Sequence, residues 1–143
     1  DTGELTFNIG VVNVNEDEGR LGLNVRFPVT CSYDDFIKPF NKKLEGTGIV
    51  IENMEADDPL YFPKDHPLIK TLAKVYQDVT GKDPVLLSIG GGTYAKEMKN
   101  IVAFGPNFPG QKELDHQTDE YIDIDHLVLL AKIYGNAIYE LAK

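Results

Sequence analysis

The chain has 143 residues, of which 42% are hydrophobic and 26% charged. That composition gives one ordinary globular domain or two small ones and excludes a disordered chain. Lysine and arginine number 14 against 23 aspartates and glutamates, a net charge of −9, which argues against electrostatic capture of nucleic acid or of an anionic membrane surface. No apolar run approaches the roughly 20 residues that a membrane-spanning helix needs. The single Cys31 rules out an internal disulfide and suits a reducing, cytoplasmic setting. No signal peptide is visible. The first residue is Asp1 rather than Met and lies close to a strand-like stretch, so the chain reads as a piece of a longer one.

In chain order, "ELTFNIGVVNV" alternates, with Leu5, Phe7, Ile9 and Val11 expected on one face. After the polar turn "NEDEGR", the run "LGLNVRFPV" sets Leu21, Leu23, Val25, Phe27 and Val29 one way and Gly22, Asn24 and Arg26 the other. Two alternating runs joined by a short Gly-containing loop predict an antiparallel hairpin. Ser32 and Asp35 make a capping-box-like pair before a helix with the stripe Phe36, Ile37, Phe40 and Leu44, stopped at Gly46; Pro39 strains that helix. "GIVIENM" is a third strand candidate. Residues 1–58 therefore read β-β-α-β, one sheet face covered by a helix.

The Pro- and Asp-rich "EADDPLYFPKDHP" is the expected boundary between two lobes. Asp65 is expected to cap a helix with Pro67 in its first turn, the stripe Leu68, Leu72, Val75, Tyr76 and Val79, and a stop at Gly81. A short strand "VLLSI" leads into a turn and helix at "GGGTYAKEMKN", and "IVAFG" is another short strand. Asp123 is expected to cap the last helix, with Leu127, Leu130, Ala131, Tyr134, Ala137, Ile138 and Leu141 on its apolar face. Residues 59–143 thus read α-β-α-β-α, and the chain as a whole is of mixed α+β or α/β class.

Three features carry chemistry. In "SIGGGTYAK" the glycines allow a tight strand-to-helix turn, a backbone wall of Gly90, Gly91 and Gly92 pressed against a ligand with the Thr93 hydroxyl beside it, or a phosphate cradle. The spacings of the known nucleotide loops are absent, which makes the cradle the weakest reading. Arg26, one of two arginines, sits mid-strand with Asn24 on its face. A guanidinium there is either a solvated sheet charge or a bidentate carboxylate grip. His116 lies in a loop beside Asp115 and Asp119, where metal ligands are commonly placed, yet no second and third ligand is readable near it. His66 and His126 read as surface and structural residues.

Several of these stretches coincide in one resemblance. "GGGTYA" followed by "HQTDEYI", within the segment from Ile89 to the C-terminus, closely resembles the C-terminal end of the PepV-type dipeptidases, and "LNVRFPV" resembles part of their lid. These are carnosinase-like (Xaa-His) members of the zinc aminoacylase/carboxypeptidase metallopeptidase superfamily. The resemblance implies a cytoplasmic two-domain enzyme for short peptides with a free C-terminal carboxylate. A catalytic domain would carry two divalent metal ions, zinc or else manganese or cobalt, and a ferredoxin-like lid would be inserted in it. Residues 1–58 would be the later half of the lid and residues 59–143 the last part of the catalytic domain.

His116 matches the family's C-terminal metal ligand. Arg26, with Asn24, matches the lid site for the substrate carboxylate, and Gly91, Gly92 and Thr93 match the loop lining the substrate pocket. Lys96 stands where the family often has arginine. The remaining ligands and the glutamate general base belong upstream in the family, so no catalytic residue is assigned within this segment. By itself it is expected to hydrolyse nothing and to bind no metal tightly. Its partners would be a dipeptide and the missing N-terminal part of its own chain. The rival reading is a non-catalytic binding module that self-associates through an exposed sheet edge.

Overall fold

The computed structural model describes residues 3–143. The elements are β1 (Thr6–Val14), β2 (Gly19–Arg26), α1 (Tyr33–Leu44), α2 (Pro67–Thr80), a single 3-10 turn (Tyr94–Lys96) and α3 (Ile124–Leu141). They fall into two compact units. One takes in the chain up to Tyr61 together with Ser88–Gly92, and the other comprises Phe62–Leu87 and Thr93–Lys143.

In the first unit β1 and β2 pair antiparallel, as the alternation predicts, but the ladder slips between Ile9 and Val11. A residue inserted on one strand moves every later side chain to the opposite face. Phe7 and Ile9, opposite Val25 and Leu23, therefore share a face with Val12, opposite Leu21, while Val11 falls opposite Gly22 on the other face. The expectation that Val11 would continue the face of Phe7 and Ile9 is corrected by this bulge. Gly22 accommodates the change, because a Cβ there would lie 3.1 Å from the Cβ of Val11.

Helix α1 meets the apolar face at Phe7, while Ile9, Val12, Leu21 and Leu23 of that face stay exposed, so the expected cover of one sheet face by a helix is only partial. Phe7 packs on Phe36 and Phe40 with ring centroids 5.6 and 5.8 Å away, and Phe36 stacks on Phe40 at 5.3 Å. Such aromatic pairs add about 0.5–1.5 kcal/mol to the area they bury. The capping box forms as expected: Asp35 N–H donates to Ser32 Oγ at 3.1 Å, and Ser32 N–H donates to an Asp35 carboxylate oxygen at 2.9 Å. Pro39 sits inside α1 without ending it. It is exposed, so the carbonyl of Asp35, which loses its intrahelical donor to the proline, can turn to water. The helix stops at Glu45, and Gly46 follows with φ 75°.

In the second unit α2 packs against α3. The cluster Leu72, Val75, Ile133 and Ala137 is buried, ringed by Leu68, Tyr76, Val79, Val102, Phe104, Phe108, Leu129 and Tyr134. The α2 stripe is the expected one with Ile69 added, a residue 8% exposed that the expected stripe leaves out. On α3 the buried face is Leu130, Ile133 and Ala137, so Ile133, the most buried at 2% exposure, replaces the expected Leu127 and Ile138, which are 53% and 70% exposed. Alpha3 is apolar nearly all round, so its periodicity did not single out one side. His66, not Asp65, is the N-cap of α2: its Nδ1 accepts from Leu68 N–H at 3.2 Å, with Pro67 in the first turn. Gly81 closes α2 in the left-handed conformation. Asp123 is the N-cap of α3 but makes no side-chain capping bond.

The expected strands at residues 48–54, 85–89 and 101–105 form no ladder among the described residues, and the expected helix after "GGG" is only the 3-10 turn. A strand exists only by its neighbour's hydrogen bonds, and these apolar runs have none. Val50 and Leu87 are each 77% exposed.

Gly105 has φ 79°, and a Cβ on it would lie 2.6 Å from Tyr134 Oη, whose ring packs edge-on against Phe104. Gly105→Ala should therefore lower stability by more than the ~1–3 kcal/mol of a non-glycine left-handed residue. Gly46→Ala, at φ 75° with nothing within 4 Å, should show only the conformational part, as measured by urea unfolding followed by circular dichroism. Hydrogen bonds from the Ser32 hydroxyl and backbone hold the Asp35 carboxyl below its ordinary value of 3.8. The stability gap between the protein and Asp35→Ala should be complete above about pH 4 and close as pH falls through the lowered value of the folded state.

Candidate functional site

The hairpin's polar face is built by register. Thr6 lies opposite Arg26 and Asn8 opposite Asn24, which places two amides and a hydroxyl beside the guanidinium. Arg26 Nε donates to Asn24 Oδ1 at 3.2 Å, and Arg26 Nη1 donates to the carbonyl of Gly90 at 2.5 Å. Of the five N–H groups of a guanidinium, these bonds use two, and the three that remain include both on Nη2. Arg20 pairs with Glu18 at 3.2 Å and approaches Glu52 at 3.8 Å, whereas no ion pair of Arg26 occurs among the described residues. A splinted, exposed guanidinium with free N–H groups is suited to a carboxylate.

The contact with Gly90 spans 64 positions of sequence, and nothing in the local pattern announces it. Gly90 is close to Arg26 as well, a Cβ there meeting Nη1 at 3.5 Å. Gly91 and Gly92 have no neighbour within 4 Å of a built Cβ, and their φ angles are not positive. Neither turn geometry nor packing within the described residues requires glycine at these two positions. The hydroxyl of Thr93 accepts from Ala95 N–H at 3.3 Å and caps the 3-10 turn; its own proton remains available for donation.

His116 belongs to the other unit. It is exposed and holds φ 62°, as Asp119 holds φ 60° nearby. Positive φ is uncommon for a residue with a side chain, and histidine, like asparagine and aspartate, is among those that enter this region most readily. Its ring makes no hydrogen bond among the described residues, so both nitrogens remain open to a ligand. The neighbouring Asp115 accepts from Asn107 Nδ2 at 2.9 Å. Among the described residues no group of three or more histidine, cysteine, aspartate or glutamate side chains converges to hold a metal ion. The donor chemistry of His116 suits a divalent metal, but as one ligand of the three or four such a centre needs.

His126 is structural, as its position suggests. Nε2 bonds the carbonyl of Pro106 at 2.9 Å, Nδ1 bonds Gln111 Nε2 at 3.1 Å, and the ring lies on Phe108 at 4.8 Å.

The pattern of peptidase family M20/M25/M40 matches residues 2–140. The chain belongs to this family. It is 46% identical over 143 residues to a Bacillus subtilis protein provisionally named dipeptidase YtjP, covering 99% of this chain and 30% of that protein. It is 37% identical over 140 residues to a provisionally named dipeptidase of Staphylococcus epidermidis, and 34% to one of Staphylococcus saprophyticus, each across 97% of this chain and 30% of the relative. This M20 chain thus spans about 30% of the length of these relatives. Family M20 is generally metal-dependent. No helix of the described residues is long and apolar enough to cross a membrane.

Gly91→Ala and Gly92→Ala should each leave the unfolding free energy within about 0.5 kcal/mol of the parent. A larger loss in chemical denaturation would show that these glycines serve the fold.

Proposed function

We propose that this chain is the closing part of a metal-dependent dipeptidase that hydrolyses short peptides with a free C-terminal carboxylate. The observation that carries the reading is the 46% identity across 99% of the chain to a dipeptidase-named relative more than three times its length. In this reading residues 1–58 are half of a ferredoxin-like lid and residues 59–143 the end of the catalytic domain. The enzyme acts in the cytoplasm, which suits the free thiol of Cys31.

The chemistry that a pair of divalent ions, zinc foremost, supplies at such a centre is water activation and polarisation of the scissile carbonyl. This chain's contributions are narrower. Arg26 takes the substrate carboxylate on its remaining N–H groups, and Asn24 and the Gly90 carbonyl hold the guanidinium in orientation, which lowers the entropy lost on binding. Gly91 and Gly92 offer bare backbone along the peptide, and Thr93 donates its hydroxyl proton to a polar atom of it. The His116 imidazole is one metal ligand, and the general base and the other ligands come from the remaining length of the protein. The segment alone is inactive and holds metal weakly.

In the full-length enzyme Arg26→Ala should raise KM for dipeptides about 10- to 100-fold, the equivalent of the ~1.5–3 kcal/mol of a charge-assisted hydrogen bond, with a smaller effect on kcat. Unchanged kinetics would remove the carboxylate-grip role. His116→Ala should weaken Zn2+ binding measured by chelator competition, and full retention of affinity would exclude His116 as a ligand.

A second reading has an observation of its own. The hairpin is a two-stranded sheet with no further paired strand among the described residues, and Ile9 and Val12 stand exposed. Edges of this kind recruit strands. The isolated 143-residue chain should therefore self-associate in light scattering, and a monomer at all concentrations would discard that reading.

A further inference from the structure

The 105–119 loop that carries His116 is tied to α3 by a hydrogen-bond chain of determinate polarity. The carbonyl of Pro106 can only accept, so His126 Nε2, 2.9 Å away, bears the proton. Nδ1 is then an acceptor, and Gln111 Nε2 donates to it at 3.1 Å. That orientation turns Gln111 Oε1 toward the N–H of Phe108, which donates to it at 3.0 Å. The three bonds agree on one tautomer and one amide orientation. The ring of His126 also lies on Phe108 at 4.8 Å, and Phe108 reaches Tyr76 of α2 at 6.1 Å. From Pro106 the chain runs to its neighbour Asn107, whose amide donates to Asp115 at 2.9 Å, and Asp115 is the residue before His116. The turn closes with Gln117 N–H donating to the carbonyl of Leu114 at 3.0 Å.

We propose that His126, acting with Gln111, is a positioning residue that sets the 105–119 loop and so fixes where the His116 imidazole presents its ring nitrogens. The inference rests on the reading of His116 as a metal ligand. It assigns no contact between the two histidines: His126 acts through Pro106, Gln111, Asn107 and Asp115. Removing a group bonded directly to a metal-ligating histidine weakens metal affinity about 10- to 100-fold, and a support that acts at a distance should fall at or below the lower end of that range.

The test is chelator-competition titration of the metal-free full-length protein with Zn2+. Gln111 is exposed, so Gln111→Met removes both amide bonds with little risk to folding, and it is read beside His126→Ala, His126→Gln and His116→Ala. Gln111→Met and His126→Ala should weaken Zn2+ binding by up to about tenfold while the melting temperature of the metal-free Gln111→Met protein stays at that of the parent. His126→Gln, which keeps a donor for Pro106, should recover part of the affinity. In a His116→Ala background the effect of Gln111→Met on Zn2+ affinity should vanish, because coupled residues are not additive. Parental affinity in Gln111→Met and His126→Ala, beside a loss in His116→Ala, would overturn the positioning role and leave the ligand reading intact. An undiminished Gln111→Met effect without His116 would likewise overturn it. Parental affinity in His116→Ala would overturn both.

Discussion

The seating of α2 on α3 is the constraint from which the second unit is built. Leu72 and Val75 from one helix meet Ile133 and Ala137 from the other, and Phe104 and Phe108 from the intervening chain close over that seam. Because α3 is held there, His126 in its first turn is held too, and the loop tied to His126 takes its course from it. The backbone of His116 is in the left-handed region at the far end of this sequence of contacts. The bonds nearest to it are local ones, from Asn107 Nδ2 to Asp115 and from Gln117 N–H to the Leu114 carbonyl.

The first unit depends on a different device. A bulge at Gly10 divides the hairpin's alternation, and the divided pattern still keeps one continuous apolar face because Val12 takes over from the position Val11 would otherwise have held, with α1 meeting that face at Phe7. The polar face gains from the same geometry. Register brings Asn24, Asn8 and Thr6 around Arg26, and the carbonyl of Gly90 arrives from 64 positions away to brace it. The guanidinium is therefore oriented before any ligand arrives, and its remaining N–H groups are directed rather than free to sweep.

Much of the apolar content stays in contact with solvent. Residues 49–51 and 85–87 are exposed throughout, and Ile124, Leu127, Val128 and Ile138 line a side of α3 that no residue of the buried cluster covers. Apolar surface of this extent marks faces suited to contact with other protein surface, and the chain spans about 30% of the length of the relatives it matches.

Local sequence was sufficient wherever the decisive interaction is local. The Ser32–Asp35 capping box, the stop signals at Gly46 and Gly81, the α2 stripe and the hairpin pairing were all legible, because caps, turns and one-sided periodicity involve residues a few positions apart. So was the family, through "GGGTYA", "HQTDEYI" and "LNVRFPV". Tertiary structure decided the rest. A slipped register is invisible in an alternating string, an all-round apolar helix does not say which side is covered, and a strand-like run such as residues 85–89 becomes a strand only when another strand supplies its hydrogen bonds. The carbonyl that braces Arg26 and the amide that orients His126 lie beyond local pattern for the same reason: each is a contact between segments that only folding brings within 3.1 Å.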